Sequence, residues 1–295
     1  MRIAPLDLES LDQARAVLAA ACAYDRADLV AEEKLFGDGP SAAATALGAW
    51  HDDRLVGVAA VSANRLRLLA VTPTVRCQGI GGALLDACIR LARDAGATSL
   101  RTLDQPGNYL APGIDERNVS AIGWLERRGW LRHGELRRNV RIAVRDNPRV
   151  SAARATALAQ AAATRGYEVR RARRDEAALV DAVAAEIGGA WPFELSRALT
   201  GEPPGVHLAT RDGAYCAFAA HDGNNRGLGW FGPTGTWPAH RGTGLGEALL
   251  VACLVDVAAH HAHCEVAWIG PRPFYDKVAG IAEDRRFVLL IRDLA

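Results

Sequence analysis

The chain has 295 residues and a mass of 31.4 kDa, with 49% hydrophobic and 23% charged side chains, the balance of a globular protein long enough for one or two domains with sizeable cores. Thirty-five basic against thirty-four acidic residues leave a formal net charge of +1, so no bulk field draws it to nucleic acid or an anionic membrane, which argues against a sequence-independent polyanion binder. The charged start MRIAPLDLES lacks an apolar h-region and the longest apolar run, Ala248 to Ala259, is broken by Asp256, so neither a signal peptide nor a membrane span is expected and the chain is expected in the cytosol.

In chain order the pattern predicts a short strand at Arg2–Pro5, a helix from about Leu8 to Ala23, and strands at Thr45–His51, Leu55–Ser62 and Leu66–Val71, the first two joined at Asp52-Asp53. Pro73 ends the third strand. A glycine loop follows, and Ile80, Leu84, Ala87, Cys88 and Leu91 recur at helical spacing until Gly96. Next come a strand at Ser99–Leu103, an irregular loop, a helix from about Asn118 to Arg128, and a closing pair of strands at Leu131–Glu135 and Val140–Val144. After the break Asp146-Asn147-Pro148-Arg149-Val150 stands an alanine-rich helix, about Ser151 to Thr164. The same order then recurs: strand at Val169, helix at Glu176–Ile187, strands at His207, Ala214 and Leu228, glycine loop, helix to His260, strand at Cys264–Ile269, and a final strand Phe287–Ile291.

The recurrence is also literal. Pro73, Arg76, Gly79, Gly81, Leu84, Leu85 and Cys88 return as Pro238, Arg241, Gly244, Gly246, Leu249, Leu250 and Cys253, all at one offset, which implies two copies of one unit. The domains expected are 1–148 and 149–295. The six cysteines, Cys22, Cys77, Cys88, Cys216, Cys253 and Cys264, form no CxxC pair and read as reduced residues of apolar runs, with no metal and no disulfide frame. His260, His261 and His263 beside Cys264 end a helix, where cations suit the macrodipole, and neighbours on a helix do not converge on one ion. Arg170, Arg171, Arg173 and Arg174 read as a solvated strand edge.

A glycine turn between strand and helix points several backbone N–H groups at one place, next to the positive end of the helix, and so suits phosphate oxygens. A lone Gly-x-Gly is as well read as a tight turn, but both copies keep Pro-x-x-Arg-x-x-Gly-x-Gly-x-x-Leu-Leu in full. A P-loop would need Gly-Lys-Ser/Thr at the helix start, and a dinucleotide fingerprint would follow its strand directly; neither fits. The segments Arg76-Cys77-Gln78-Gly79-Ile80-Gly81 and Arg241-Gly242-Thr243-Gly244-Leu245-Gly246 resemble the acetyl-CoA pyrophosphate loop of the GNAT superfamily of N-acyltransferases, and the resemblance extends through the element order of both halves. It implies an α/β (α+β) protein of two tandem GNAT domains, each a mixed, mostly antiparallel sheet flanked by helices. It further implies that acetyl-CoA is the co-substrate, that Leu69, Ala70, Val71 and Thr234, Gly235, Thr236 offer strand amides to it, and that residues 76–81 and 241–246 hold its pyrophosphate.

Acetylation of an amine needs the neutral nucleophile, and with a pKa near 10.4 only about one alkylamine in 2,500 is neutral at pH 7. The departing thiolate also needs a proton. In the family that donor is often a tyrosine in Phe-Tyr-x-x-x-Gly, which resembles Phe274-Tyr275 here, with Gly280 one residue late. Tyr275 is the expected general acid; its alternative is a packing residue. The first copy reads Trp124-Leu125-Glu126-Arg127-Arg128-Gly129 at that place, which sets Leu125, or on a glycine alignment Trp124, against Tyr275, and neither is an acid. For the base, no carboxylate stands in Gly227–Thr236, leaving His221, Asp222 and Glu194 as candidates. Trp191, Trp230, Phe231, Trp237, Trp268 and Phe274 are candidates for an acceptor pocket or for core. Asp115 and Glu116 in the first copy are candidates to attract an amine. The expected activity is acetyl transfer to a small-molecule primary amine by direct attack in the C-terminal domain, with no nucleic acid or membrane partner. The duplicated layout is also similar to that of mycothiol synthases, which acetylate a cysteinyl conjugate, and a non-catalytic acyl-CoA sensor is the alternative of another class.

Overall fold

The computed structural model describes residues 1–40 and 42–294. The first half runs β1 (Arg2–Pro5), α1 (Leu11–Ala21), α2 (Ala31–Leu35), β2 (Thr45–His51), β3 (Arg54–Ser62), β4 (Arg65–Val71), α3 (Ile80–Asp94), β5 (Ser99–Thr102), β6 (Ile114–Asp115), α4 (Val119–Glu126) and β7 (Leu131–Arg132). The second runs β8 (Arg137–Ala143), α5 (Ala152–Ala163), β9 (Glu168–Arg171), α6 (Ala177–Glu186), α7 (Trp191–Leu199), β10 (Val206–Arg211), β11 (Ala214–His221), β12 (Trp230–Thr236), α8 (Leu245–Ala258), β13 (His263–Val266), α9 (Arg272–Ala279), β14 (Glu283–Val288) and β15 (Leu290–Asp293). Short 3-10 turns at Pro73–Val75 and Pro238–His240 precede α3 and α8. No helix among the described residues is long and apolar enough to cross a membrane.

The chain divides into two compact units, one formed by Met1–Arg137 together with the stretch from Arg286 onward, the other by Arg138–Arg285. In the first unit the sheet order is β1-β2-β3-β4-β5-β15-β7. Its first four strands are antiparallel neighbours, β4 and β5 are parallel, and β15 lies antiparallel to β5 with Ile291 opposite Arg101. The second unit repeats the scheme as β14-β8-β13-β12-β11-β10-β9, with β12 and β13 parallel and β8 antiparallel to β13, Val140 opposite Val266.

The strands expected to close the first unit as a pair therefore part company. β7 pairs with β15, from the C-terminal end of the chain, whereas β8 joins the second sheet. Val140, Ile142 and Val144 alternate into the second unit's core, so the period-2 pattern is satisfied there and not beside β7. A single cut at 148 would leave β8 with the first unit and β15 with the second. The expected final strand Phe287–Ile291 is likewise two strands, β14 and β15.

Each core lies between its sheet and its long helix. α3 buries Ile80, Leu84, Leu85, Cys88, Ile89 and Ala92 along one face. α8 buries Leu245, Ala248, Leu249, Leu250, Val251, Cys253, Leu254 and Val257, apolar side chains on nearly every face, so it needs cover on the side away from the sheet. The alanine-rich α5 packs there. Cys88, Cys216, Cys253 and Cys264 are buried free thiols.

Candidate active site

The same construction appears twice. β4 pairs in parallel with β5 through Arg65 and Leu66, and β12 with β13 through Trp230 and Phe231. The last cross-links are Leu103 N–H to Leu66 O, 2.8 Å, and Ala267 N–H to Phe231 O, 3.3 Å. Beyond them the strands separate, so Leu69–Val71 and Thr234–Thr236 pair with β3 and β11 on one side only. Their outward N–H and C=O groups form a short open edge in each unit.

At the end of each open edge an arginine folds back. Arg76 Nε donates to Val71 O at 3.1 Å, and Arg241 Nε to Thr236 O at 3.2 Å, which fixes the loop against the strand it leaves. Arg76 also donates to Ala21 O. Both arginines thus act first on the backbone, a role that spacing alone did not show. The loops then reach the helices through glycines with left-handed backbones, Gly79 (φ +84°) before α3 and Gly242 and Gly244 (φ +76° and +80°) before α8. A Cβ on Gly79 or Gly242 would meet nothing within 4 Å, so the first-turn amides face open space. Cys77 is exposed with φ +62°, Gln78 is exposed, and Thr243 Oγ1 donates to His240 O. Ile80 and Leu245 point into the cores; they offer the site only backbone. An unobstructed amide cradle at a helix N-terminus beside an open strand edge fits a pyrophosphate with an extended amide-bearing arm.

The two units differ beyond the loop. A Cβ on Gly81 would lie 3.5 Å from the Trp124 ring, and one on Gly246 3.6 Å from the Phe274 ring. Trp124 and Phe274 are therefore counterparts, which sets Leu125 of α4 against Tyr275 of α9 and disposes of the glycine alignment. Tyr275 is buried, edge-on to Phe274 with ring centroids 5.1 Å apart. Among the described residues its hydroxyl has no hydrogen-bond partner, and burial, with a smaller contribution from Cys264, pushes its pKa up to about 12.

The second difference lies at the first position past the parallel pairing, Arg67 in β4 and Gly232 in β12. Arg67 is 2% exposed and donates to Gly37 O at 2.6 Å and Glu33 O at 3.1 Å. Lys34, 1% exposed, donates to Glu33 Oε1 and Asn108 Oδ1 at 2.8 and 2.9 Å, and Asn108 Nδ2 reaches Asp38 O. This network fills the apex of the opening in the first unit. At Gly232 a Cβ would meet nothing within 4 Å. Apart from the neighbouring Lys34 and Glu33, these partners are thirty or more positions apart, so no sign of the network was legible in the sequence.

The remaining candidates are placed as follows. His221 lies in a buried cluster, with Nδ1 3.0 Å from Asp222 Oδ2 and Nε2 3.2 Å from Asp256 Oδ2. Burial alone would depress its pKa, but the two carboxylates outweigh it and raise it to about 9. Both ring nitrogens thus face carboxylates. Asp222 is its ion partner. Glu194 is buried on α7, a helix the sequence reading did not anticipate. Trp230 and Phe231 are buried in the core, and the partly buried Trp191 and Trp237 pack edge-on against Phe218, each 6.1 Å away. Trp268 is 42% exposed. Asp115 is bidentate to Arg117 and Glu116 pairs with Arg286, so both are engaged rather than awaiting an amine. Arg170 and Arg171 also pair, with Glu176 and Asp256. No cluster of three metal-ligating side chains is assembled among the described residues.

The sequence model of the Acetyltransferase (GNAT) family matches residues 12–130. By structure, the chain resembles a tandem GNAT protein from the clavulanic acid biosynthesis pathway, with TM-score 0.70, 20% identity, and coverage of 100% of this chain and 98% of that one. The fold is that of a tandem GNAT protein. It also resembles a GCN5-related glucosamine N-acetyltransferase region of a fungal multi-domain GH3 β-N-acetylglucosaminidase, with TM-score 0.76 and 16% identity over 98% of this chain, which spans 38% of that protein. A GCN5-related N-acetyltransferase from Sphaerobacter thermophilus matches with TM-score 0.62 and 17% identity over 99% of this chain and 95% of that one. No curated protein sequence matches the chain. The likeness is one of fold, and each unit carries a parallel-strand opening followed by a glycine loop.

Proposed function

We propose that the second unit acetylates a small primary amine by direct attack on acetyl-CoA, and that the first unit binds acyl-CoA without turning it over. The observation that carries this reading is the phenol of Tyr275 at the place where the first unit has Leu125, the equivalence being fixed by the Gly246–Phe274 and Gly81–Trp124 contacts.

In this reading Gly242–Gly246 amides hold the pyrophosphate and the open edge of Thr234–Thr236 holds the pantetheine arm; the same parts in the first unit are Leu69–Val71 and residues 76–81. Acetyl-CoA supplies the activated thioester. The N–C bond forms as the C–S bond breaks, and the sulfur leaves with the Tyr275 proton. Burial pushes the phenol up to about 12, so it holds its proton at neutral pH. The open apex at Gly232 leaves room for an acceptor, whereas Arg67, Lys34 and Asn108 occupy that place in the first unit. The amine proton goes to water or to a loop residue.

Tyr275→Phe is expected to lower kcat by about ten- to a hundredfold and leave acetyl-CoA affinity within a factor of two. Full activity in that variant removes Tyr275 from the mechanism. Native mass spectrometry should count two acetyl-CoA molecules on the wild type and one on a variant with bulky residues at Gly244 and Gly246; no binding at all would end the acetyltransferase reading.

A further inference from the structure

The opening in each unit has a direction. The glycine loop follows its strand's last residue, Val71 in β4 and Thr236 in β12, while the parallel pairing that closes the opening lies at the strand's other end, at Arg65 and Leu66 and at Trp230 and Phe231. A CoA thioester with its pyrophosphate on the loop therefore runs its arm back along the open edge, and the group on its sulfur points at the apex. Four residues flank the two apices, each the next after a last cross-linked residue: Arg67 and Asp104 in the first unit, Gly232 and Trp268 in the second.

In the first unit both are buried charges held on several sides. Arg67 donates to three backbone carbonyls, Gly37 O, Glu33 O and, at 3.4 Å, Asn108 O. The Asn108 side-chain amide, also buried, donates to Glu33 O and Gly37 O at 3.0 and 3.2 Å. Gly37 comes so close to this layer that a Cβ on it would lie 2.5 Å from Glu33 O. Asp104 pairs with Arg65 Nε and Arg137 Nη1, each at 2.8 Å, and with Arg101. Moving Arg67 or Asp104 aside would separate a buried charge from partners that a hydrocarbon chain cannot replace. The second unit has neither charge at these positions. Gly232 carries no side chain and leaves open space where a Cβ would stand, and Trp268 puts an indole, 42% exposed, at the position of the buried carboxylate. Asn139 Oδ1 accepts from the Trp268 N–H at 2.8 Å and fixes its backbone.

We propose that the two apices sort acyl chains by length: the first unit is confined to CoA and its acetyl thioester, whereas the second also takes donors with longer, medium-length acyl chains. The proposal rests on the reading that both units bind acyl-CoA along their open edges. In the first unit the edge at Leu69–Val71 takes the arm and the thioester, and a longer chain would run into Arg67 and Asp104. Close-packed interiors make no room for added methylenes without strain, and here the strain would fall on a charged network. In the second unit the chain passes Gly232 and gains apolar burial against the Trp268 indole.

Native mass spectrometry of the full chain with acetyl-CoA and with octanoyl-CoA tests this by counting. The wild type is expected to hold two acetyl-CoA molecules but one octanoyl-CoA, and excess octanoyl-CoA should displace one of the two acetyl-CoA molecules and no more. A variant with bulky residues at Gly244 and Gly246 locates the sites: it should keep one acetyl-CoA and take no octanoyl-CoA. Should that variant fail to fold, the wild-type counts decide. Two octanoyl-CoA molecules on the wild type, none on it, or any on the loop variant overturn the sorting by length and leave the acyl-CoA reading standing. A single acetyl-CoA on the wild type removes the first unit's site and overturns both, as does failure of either ligand to bind at all.

Discussion

Asp256 is the acceptor around which a charged cluster of the second unit is arranged. His207 Nε2 lies 2.8 Å from its Oδ2, His221 Nε2 3.2 Å, and Arg171 Nη2 2.6 Å from Oδ1. Burial opposes its charge, but these partners outweigh burial and hold its carboxyl well below the ordinary range. His221 is shifted the other way, to about 9 from 6.5. The stability it contributes is complete below about pH 6.5 and is lost as pH rises through 9, whereas that of Asp256 is present above pH 3.8 and is lost as pH falls. The melting temperature is therefore expected to fall between pH 7 and 10. Asp256→Asn should lower stability by about 3 kcal/mol near pH 6 and flatten that alkaline decline. A wild-type profile that stays level to pH 10 would mean that His221 is not charged in the folded protein.

The glycine loops show what a repeated short element commits the backbone to. Gly244 sits at φ +80° with only the tips of Arg165 near its Cβ position, so Gly244→Ala pays almost nothing in packing. Its cost is the left-handed conformation, about 1–2 kcal/mol, which a denaturant midpoint would register, together with weaker acetyl-CoA binding. Elements of this kind were legible in the sequence. β1 and β2 have the expected bounds, the turn types follow from Pro73 and Pro238, and the repeat itself pointed to the loops. Residues whose meaning depends on distant partners were not legible: Arg67 looks like any arginine in a strand until Gly37 and Asn108 close over it. α2 and α7 escaped notice because they are short and bury their polar residues, Lys34 and Glu194, against the usual pattern. β8 was recognised as a strand but not assigned to its sheet, since alternation specifies a face and not a neighbour.

At the scale of the whole chain, the two sheets exchange a strand: β15 completes the first and β8 the second. Residues 1–148 expressed alone lack β15, leaving Leu100 and the β5 edge uncovered, and are expected to aggregate. Fusing residues 286–294 after residue 136 through a short linker should restore a soluble, cooperatively melting unit. A well-folded 1–148 fragment would show that β15 is dispensable. The family match over residues 12–130 covers the half in which Leu125 and Arg67 stand where the second unit has Tyr275 and Gly232.

The position of β15 also bears on how the protein is made. Its residues are made after the whole of the second unit, yet the sheet that they join belongs to the half that emerges first. At roughly 5–20 residues per second, the first half waits on the order of ten seconds or more with its β5 edge open while the second is translated. Of the two units the one synthesised first is thus completed second, and a ribosome that stalls before β15 would release a chain whose first unit is still unfinished.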